Sequence, residues 1–152
     1  MMNFERYFLH DRRIFLDNIS YDAINMGKQP TQMRLKCNDT VLAQLSNSGV
    51  KISFNRALTF EPQGIYTLSV TFSVFLIFDP STKDEIDWQK TDISGEFRKS
   101  CPALMSALMS RSSLLIAQIT SSAGQLPLVT PPSPTNPAAP YGNAPTAEES
   151  GK

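Results

Sequence analysis

The chain has 152 residues, of which 41% are hydrophobic and 18% are charged, and 14 basic side chains balance 14 acidic ones. This length suits one domain with its own core and is too short for two ordinary domains. The zero formal charge, without a dense basic run, argues against nucleic-acid binding, and no apolar stretch approaches the roughly 20 residues that span a bilayer. The charged N-terminus carries no readable secretion signal, so we expect a cytosolic protein.

Side chains that carry chemistry are sparse. Cys37 and Cys101 form neither a CxxC pair nor a ligand cluster with His10, so we interpret them as reduced packing residues rather than as a disulfide. His10 stands beside Asp11 near the N-terminus, where we expect a solvated surface pair. The sequence has no phosphate-binding loop, EF-hand loop, HExxH or GxSxG motif. It therefore predicts no enzyme, and neither a metal nor a cofactor.

Two segments in the first third of the chain have a weak strand pattern. Residues 14–21 alternate loosely between apolar and polar side chains, and residues 31–37 do so more regularly. Residues 40–45 are ambiguous, and the serine, asparagine and glycine of residues 46–49 predict a turn. Each of the first two segments is a candidate strand.

The clearest local pattern is a hairpin of two long strands, residues 50–60 and 65–78. Apolar and polar side chains alternate in both, as in a sheet with one buried face, although Arg56 interrupts the apolar row of the first strand. Pro62 and Gly64 occupy the second and fourth positions of the turn between them, which these residues favour. The apolar face of the second strand consists of Leu68, Val70, Phe72, Val74, Leu76 and Phe78.

Helical patterns follow the hairpin. Residues 84–99 have apolar side chains at helical spacing, but Gly95 weakens a continuous helix, so both a helix and a ragged edge strand stay open. Ser100 and Pro102 predict the start of a second helix, and Ala123-Gly124 predicts its end. The apolar face of this helix carries Leu104, Met105, Leu108, Met109, Leu115, Ile116 and Ile119. We assign its serines to a polar face: Ser106, Ser110, Ser112, Ser113, Ser121 and Ser122.

The end of the chain differs in composition from the rest. Leu126, Leu128 and Val129 predict that the chain crosses back over apolar surface after the helix. Most of the 11 prolines lie beyond residue 126, and residues 133–152 contain no aliphatic side chain larger than alanine. Because such a segment cannot bury enough surface to offset its ordering entropy, we predict one domain over residues 1–132 and a disordered proline-rich tail over residues 133–152. PxxP spacings in the tail also fit a ligand for aromatic grooves.

The second half of the chain resembles the SecB-like protein-export chaperones. The carriers of the resemblance are the hairpin, Cys101-Pro102 before a helix, Gly124, and the segment PLVTPP of residues 127–132. The resemblance implies an α+β fold, with an antiparallel sheet of about four strands and helices packed on one face. It also implies a dimer or dimer of dimers, and an apolar groove that holds non-native polypeptide without cofactor or nucleotide.

Two departures from the family pattern concern its partners and its sheet. Residues 83–100 contain no clear equivalent of the family's aromatic-rich strand before the helix. Where the family presents carboxylates to the export motor ATPase, the polar strand faces here carry lysine, asparagine, serine and threonine, which puts docking to that motor in doubt. A stand-alone chaperone, or one paired with a dedicated client such as an antitoxin, fits the sequence as well as a chaperone of export precursors does.

The sequence predicts a polypeptide-binding groove between helix and sheet, built from side chains that stay partly exposed once the core is filled. Methionine-rich apolar surfaces accept varied partners because methionine repacks easily. The predicted groove residues are Phe75, Trp88, Met105, Met109 and Ile116. We expect an ATP-independent holdase that binds unfolded or precursor polypeptides as a homo-oligomer. The alternative is a non-enzymatic structural or adaptor protein of a phage or mobile element with the same layout.

Overall fold

The computed structural model describes residues 2–24, 33–62, 64–122 and 128–130. Its strands are β1 (Ile14–Ala23), β2 (Arg34–Leu45), β3 (Gly49–Glu61) and β4 (Tyr66–Ile77), and its helices are α1 (Ile93–Ser100) and α2 (Pro102–Ser122). Short 3-10 turns occupy Phe4–Tyr7, Lys83–Glu85 and Trp88–Lys90. The four strands form one antiparallel sheet in the order β1-β4-β3-β2, so the predicted α+β fold is confirmed.

The predicted hairpin is the centre of the sheet. Strands β3 and β4 pair along their length, with Ile52 opposite Val74 and Phe54 opposite Phe72. These side chains are buried on the face that α1 and α2 cover, while the alternate residues form a more polar outer face. The period-two pattern therefore identified the core face of both strands correctly. The connection between the strands contains a cis Glu61–Pro62 peptide.

Strand β1 is longer than the segment predicted from its weak alternation of apolar and polar residues. The alternation is weak because a bulge interrupts it. The register against β4 shifts between Leu16 and Asn18, which places the extra residue, Asp17, on the outer face. There its carboxylate contacts Lys51 Nζ at 2.7 Å and accepts a hydrogen bond from Ser73 Oγ at 2.8 Å. The bonds to Lys51 and Ser73 hold the pKa of Asp17 below its ordinary value.

Residues 83–100 form neither one continuous helix nor an edge strand. Two 3-10 turns precede α1, whose first turn is capped by Asp92. The Asp92 carboxylate accepts from the Gly95 N–H at 3.2 Å, and a Cβ at position 95 would collide with that carboxylate. The glycine that weakened the helix prediction is therefore the residue that this cap requires.

Helix α2 begins at Pro102 as predicted, and its buried side faces the sheet. The assignment of all its serines to a polar face is wrong for Ser112, which is fully buried and donates its hydroxyl to the Leu108 carbonyl at 2.8 Å. Such a bond to the preceding turn satisfies a buried hydroxyl without any partner outside the helix. The predicted stop at residues 123–124 and the predicted tail over residues 133–152 lie outside the described residues. Within the described part of the chain, no helix is long and apolar enough to cross a membrane.

Candidate functional site

The structure places three of the predicted groove residues in the core. Met105 is 5% exposed, Met109 is 7% exposed and Ile116 is fully buried, because all three lie on the side of α2 that packs on the sheet. The prediction that these side chains stay partly exposed is therefore wrong. Which side chains bind polypeptide stays a prediction.

The remaining two predicted residues lie elsewhere. Trp88 is buried in an aromatic cluster with Phe4, Phe8 and Phe78, and its indole N–H donates to the Lys83 carbonyl at 2.8 Å. Phe75 is half-buried on the outer face of β4, since its neighbours in the strand point into the core. The five residues therefore do not form one groove.

An apolar groove does exist between α2 and the edge strand β1. It has a volume of about 460 Å³. Its lining residues are Tyr21, Leu115, Gln118, Ile119 and Ser122. Leu115 and Ile119 belong to the helix face predicted to be apolar, but they lie beside the buried side of α2 and are only partly covered. They are apolar side chains of α2 that the core does not fully bury.

Strand β1 extends the apolar surface of this groove. Leu16 is 45% exposed and Ile19 is 42% exposed, and their positions opposite Phe72 and Val70 put them on the helix side of the sheet. Because β1 is the last strand on its side of the described sheet, its outer backbone edge is open to pairing. An extended chain can add to such an edge and place alternate side chains against the apolar surface.

The sequence contained only a faint signal for this surface. Leu16 and Ile19 are apolar residues in a segment predicted as a strand, but the bulge at Asp17 put them out of phase with each other. Their exposure follows from the edge position of β1, which no local pattern specifies. Tyr21, stacked on Tyr66 with ring centroids 5.5 Å apart, completes the row.

On the opposite flank of α2 the chain itself fills the space between helix and sheet. Residues 128–130, called the strap below, return along α2 after the helix has ended. The Leu128 N–H donates to Thr120 Oγ1 at 3.0 Å, and Leu128 packs against the core. The prediction that the chain crosses back over apolar surface is confirmed for Leu128, whereas Val129 is 82% exposed.

A buried ion pair lies beneath the strap. Arg56 of β3 and Asp39 of β2 are directly opposite each other, and both side chains are 0% exposed. Arg56 Nε donates to Asp39 Oδ1 at 2.7 Å and Nη2 donates to Oδ2 at 2.8 Å, while Nη1 donates to Thr130 Oγ1 at 2.8 Å. Burial alone would lower the pKa of Arg56, but the hydrogen bonds and attraction to Asp39 raise it above its ordinary value. The arginine that interrupts the apolar row of β3 thus connects sheet, helix and strap.

The described residues contain no group of three or more histidine, cysteine, aspartate and glutamate side chains placed to hold a metal ion. Cys37 and Cys101 are reduced and form no disulfide with each other. Burial raises the pKa of Cys101 to about 11, so this thiol is protonated at neutral pH. The groove between α2 and β1 has no charged side chain in its lining, so it suits an apolar ligand rather than an ion.

Comparison with solved structures finds this fold in the SecB-like chaperone Rv1957 of Mycobacterium tuberculosis, solved in complex with a ChAD peptide from the HigA1 antitoxin, Rv1956. The TM-score is 0.57 at 13% sequence identity, and the match covers 80% of this chain and 88% of the other. No protein-family model matches the sequence, and no curated protein matches it. The similarity shows a SecB-like fold.

Proposed function

We propose that this protein is an ATP-independent holdase-type chaperone that binds non-native polypeptide at the groove between α2 and β1. The observation that carries the proposal is the exposed apolar row on the helix side of β1, especially Ile19, beside the groove lined by Leu115 and Ile119. A soluble domain rarely leaves such side chains together on an open strand edge unless something binds there. The SecB-like fold, found in a chaperone solved with a peptide, supports this interpretation.

The geometry favours an extended, apolar client segment. The open edge of β1 offers backbone donors and acceptors, and Leu16, Ile19 and Tyr21 face the same side for contact with alternate client side chains. A client that presents its backbone and a few apolar residues needs no fixed sequence. Export precursors and a dedicated client, such as an antitoxin, both meet this requirement.

The first test compares two charge substitutions at neighbouring positions of β1. Ile19→Glu should reduce affinity for an unfolded client by about five- to fiftyfold, because a carboxylate must be desolvated when an apolar segment binds. Ser20→Glu is the matched control, since Ser20 is also exposed and faces the other side of the strand. The measurement is light scattering of an aggregating client at near-stoichiometric ratios, together with a thermal melt of each variant.

The wild-type protein and Ser20→Glu should suppress aggregation, and Ile19→Glu should fail to do so while keeping its melting temperature. Equal suppression by the two variants would exclude the β1 groove as the client site. If the wild-type protein does not suppress aggregation at all, the structural or adaptor role remains, in which the same apolar surfaces bind a fixed partner.

We also propose that the protein assembles as a homo-oligomer through the outer side of α2. Leu114 is 62% exposed there and points away from the core. Sedimentation at tens of micromolar should show a dimer or larger species for the wild-type protein, and Leu114→Glu should shift it toward the monomer. Ser106→Glu, an exposed position of the same helix, is the control. A wild-type monomer at this concentration would contradict the proposal.

A further inference from the structure

The strap occupies its flank of α2 in the manner of a bound peptide. Leu128 packs inward, Val129 is 82% exposed and Thr130 is 6% exposed, which is the alternation of an extended segment. Successive residues of a helix are about 100° apart, so Ser113 and Thr120 lie on one flank of α2, and Leu115 and Ile119 lie on the other. Helix α2 therefore has two grooves beside it, one open toward β1 and one filled by the strap.

We propose that the filled groove is a second peptide-binding site, in which the strap competes with client segments that carry an aliphatic residue two positions before a serine or threonine. The inference rests on the proposed function, because it assigns a second client site to the same chaperone. It adds a preference in client sequence that the open groove, which has no charged side chain in its lining, does not provide.

The preference follows from the chemistry of Arg56. Its Nε and Nη2 atoms donate hydrogen bonds to Asp39. Its Nη1 atom donates to Thr130 Oγ1 of the strap at 2.8 Å. Ser113 Oγ lies 3.2 Å from the same nitrogen and 2.8 Å from Thr130 Oγ1. A segment that brings a hydroxyl to this position gains a hydrogen bond from the charged Nη1, in addition to the bond that Nη1 donates to Ser113 Oγ. A hydroxyl satisfies both Arg56 and Ser113.

At Thr120, the groove forms a hydrogen bond with the backbone of the strap rather than with a side chain. Thr120 Oγ1 donates to the Ile116 carbonyl at 2.8 Å and accepts from the Leu128 N–H at 3.0 Å. Any residue except proline supplies that N–H, and the leucine side chain supplies apolar contact with the core. The groove thus favours a segment with a backbone N–H, an aliphatic side chain on the same residue, and a hydroxyl two residues later.

The apparent affinity of this groove for a free peptide equals its intrinsic affinity multiplied by the fraction of time in which the strap leaves the groove empty. A variant that weakens the strap but not the groove should therefore bind a free peptide more tightly. Thr130→Val keeps the size and branching of the side chain and removes the acceptor for Arg56. Thr130→Ser keeps the hydroxyl, and Thr59→Val makes the same change on the outer face of β3, far from the strap.

The experiment uses the full chain and a fluorescent synthetic peptide with the sequence of residues 125–132, measured by anisotropy. Thr130→Val should bind this peptide about tenfold more tightly than the wild-type protein, because a hydrogen bond to a charged group contributes about that factor or more. Thr130→Ser and Thr59→Val should match the wild-type protein. A peptide with valine in place of its threonine should bind Thr130→Val about tenfold more weakly.

Hydrogen exchange of the Leu128 amide provides an independent measurement, and it should accelerate in Thr130→Val only. Unchanged peptide affinity together with unchanged exchange would overturn the inference, as would equal binding of the threonine and valine peptides. These outcomes are distinct from failure of the proposed function. Tighter peptide binding by Thr130→Val would support the second site even if neither protein suppressed aggregation, whereas suppression without any effect of Thr130→Val would leave only the β1 groove.

Discussion

Replacing Asp39 by alanine should lower the free energy of unfolding by about 3–5 kcal/mol, because Arg56 would keep a buried positive charge without its carboxylate partner. The two side chains are fully buried and joined by two hydrogen bonds of 2.7 and 2.8 Å. A loss of this size is a large part of the stability of an ordinary domain. Chemical denaturation should show it as a lower midpoint with an unchanged slope.

The control for this prediction removes both charges at once. Asp39→Leu combined with Arg56→Met should be far more stable than Asp39→Ala, since an apolar pair of similar volume leaves no charge to solvate. It should loosen the strap as well, because Thr130 loses the charged donor Arg56 and keeps only Ser113. If Asp39→Ala unfolds at the wild-type midpoint, the pair is not buried as the structure shows.

Replacing Met109 by glutamate should destabilise the fold by about 3–5 kcal/mol at neutral pH, because the carboxylate would be buried without a partner. Met109 is 7% exposed and lies against the sheet. Burial raises the pKa of such a carboxyl above the value of about 4.3 in the unfolded chain, so the loss should be small below that pH and grow as the pH rises.

Two substitutions separate burial of the charge from other effects of the change. Met109→Leu keeps an apolar side chain of similar volume and should cost less than about 1.5 kcal/mol. Ser106→Glu places the same charge on the exposed side of α2 and should change stability by no more than about 0.5 kcal/mol. Thermal melts at several pH values measure all three. A stable Met109→Glu variant with lower client affinity would instead restore Met109 to a binding groove.

Much of the architecture was predictable because it depends on local patterns. The alternation in residues 65–78 specified a strand with one buried face, and the turn residues after Phe60 specified its antiparallel partner. The start of α2 at Pro102 was predictable for the same reason, since a proline there replaces an N–H that the first turn leaves unpaired. The structure of residues 83–100 was not predictable in this way, because it depends on the Asp92 cap and on aromatic packing around Trp88.

The candidate site was less predictable than the fold. Helix α2 is apolar around more than one stripe, and the sequence could not say which stripe would face the sheet. Packing decided that Met109 and Ile116 are core while Leu115 and Ile119 border a groove. The exposure of Ile19 likewise depends on β1 being an edge strand, which is a property of strand order.

The sequence by itself determined the two central strands, the buried face of their hairpin and the start of α2, because side-chain periodicity and turn chemistry act over a few residues. Only the tertiary structure decided which apolar side chains stay exposed. It also decided that Arg56 forms an ion pair with Asp39 and a hydrogen bond with Thr130. Strand order and helix orientation bring together residues that are far apart in the sequence, and a local sequence pattern contains no information about such contacts.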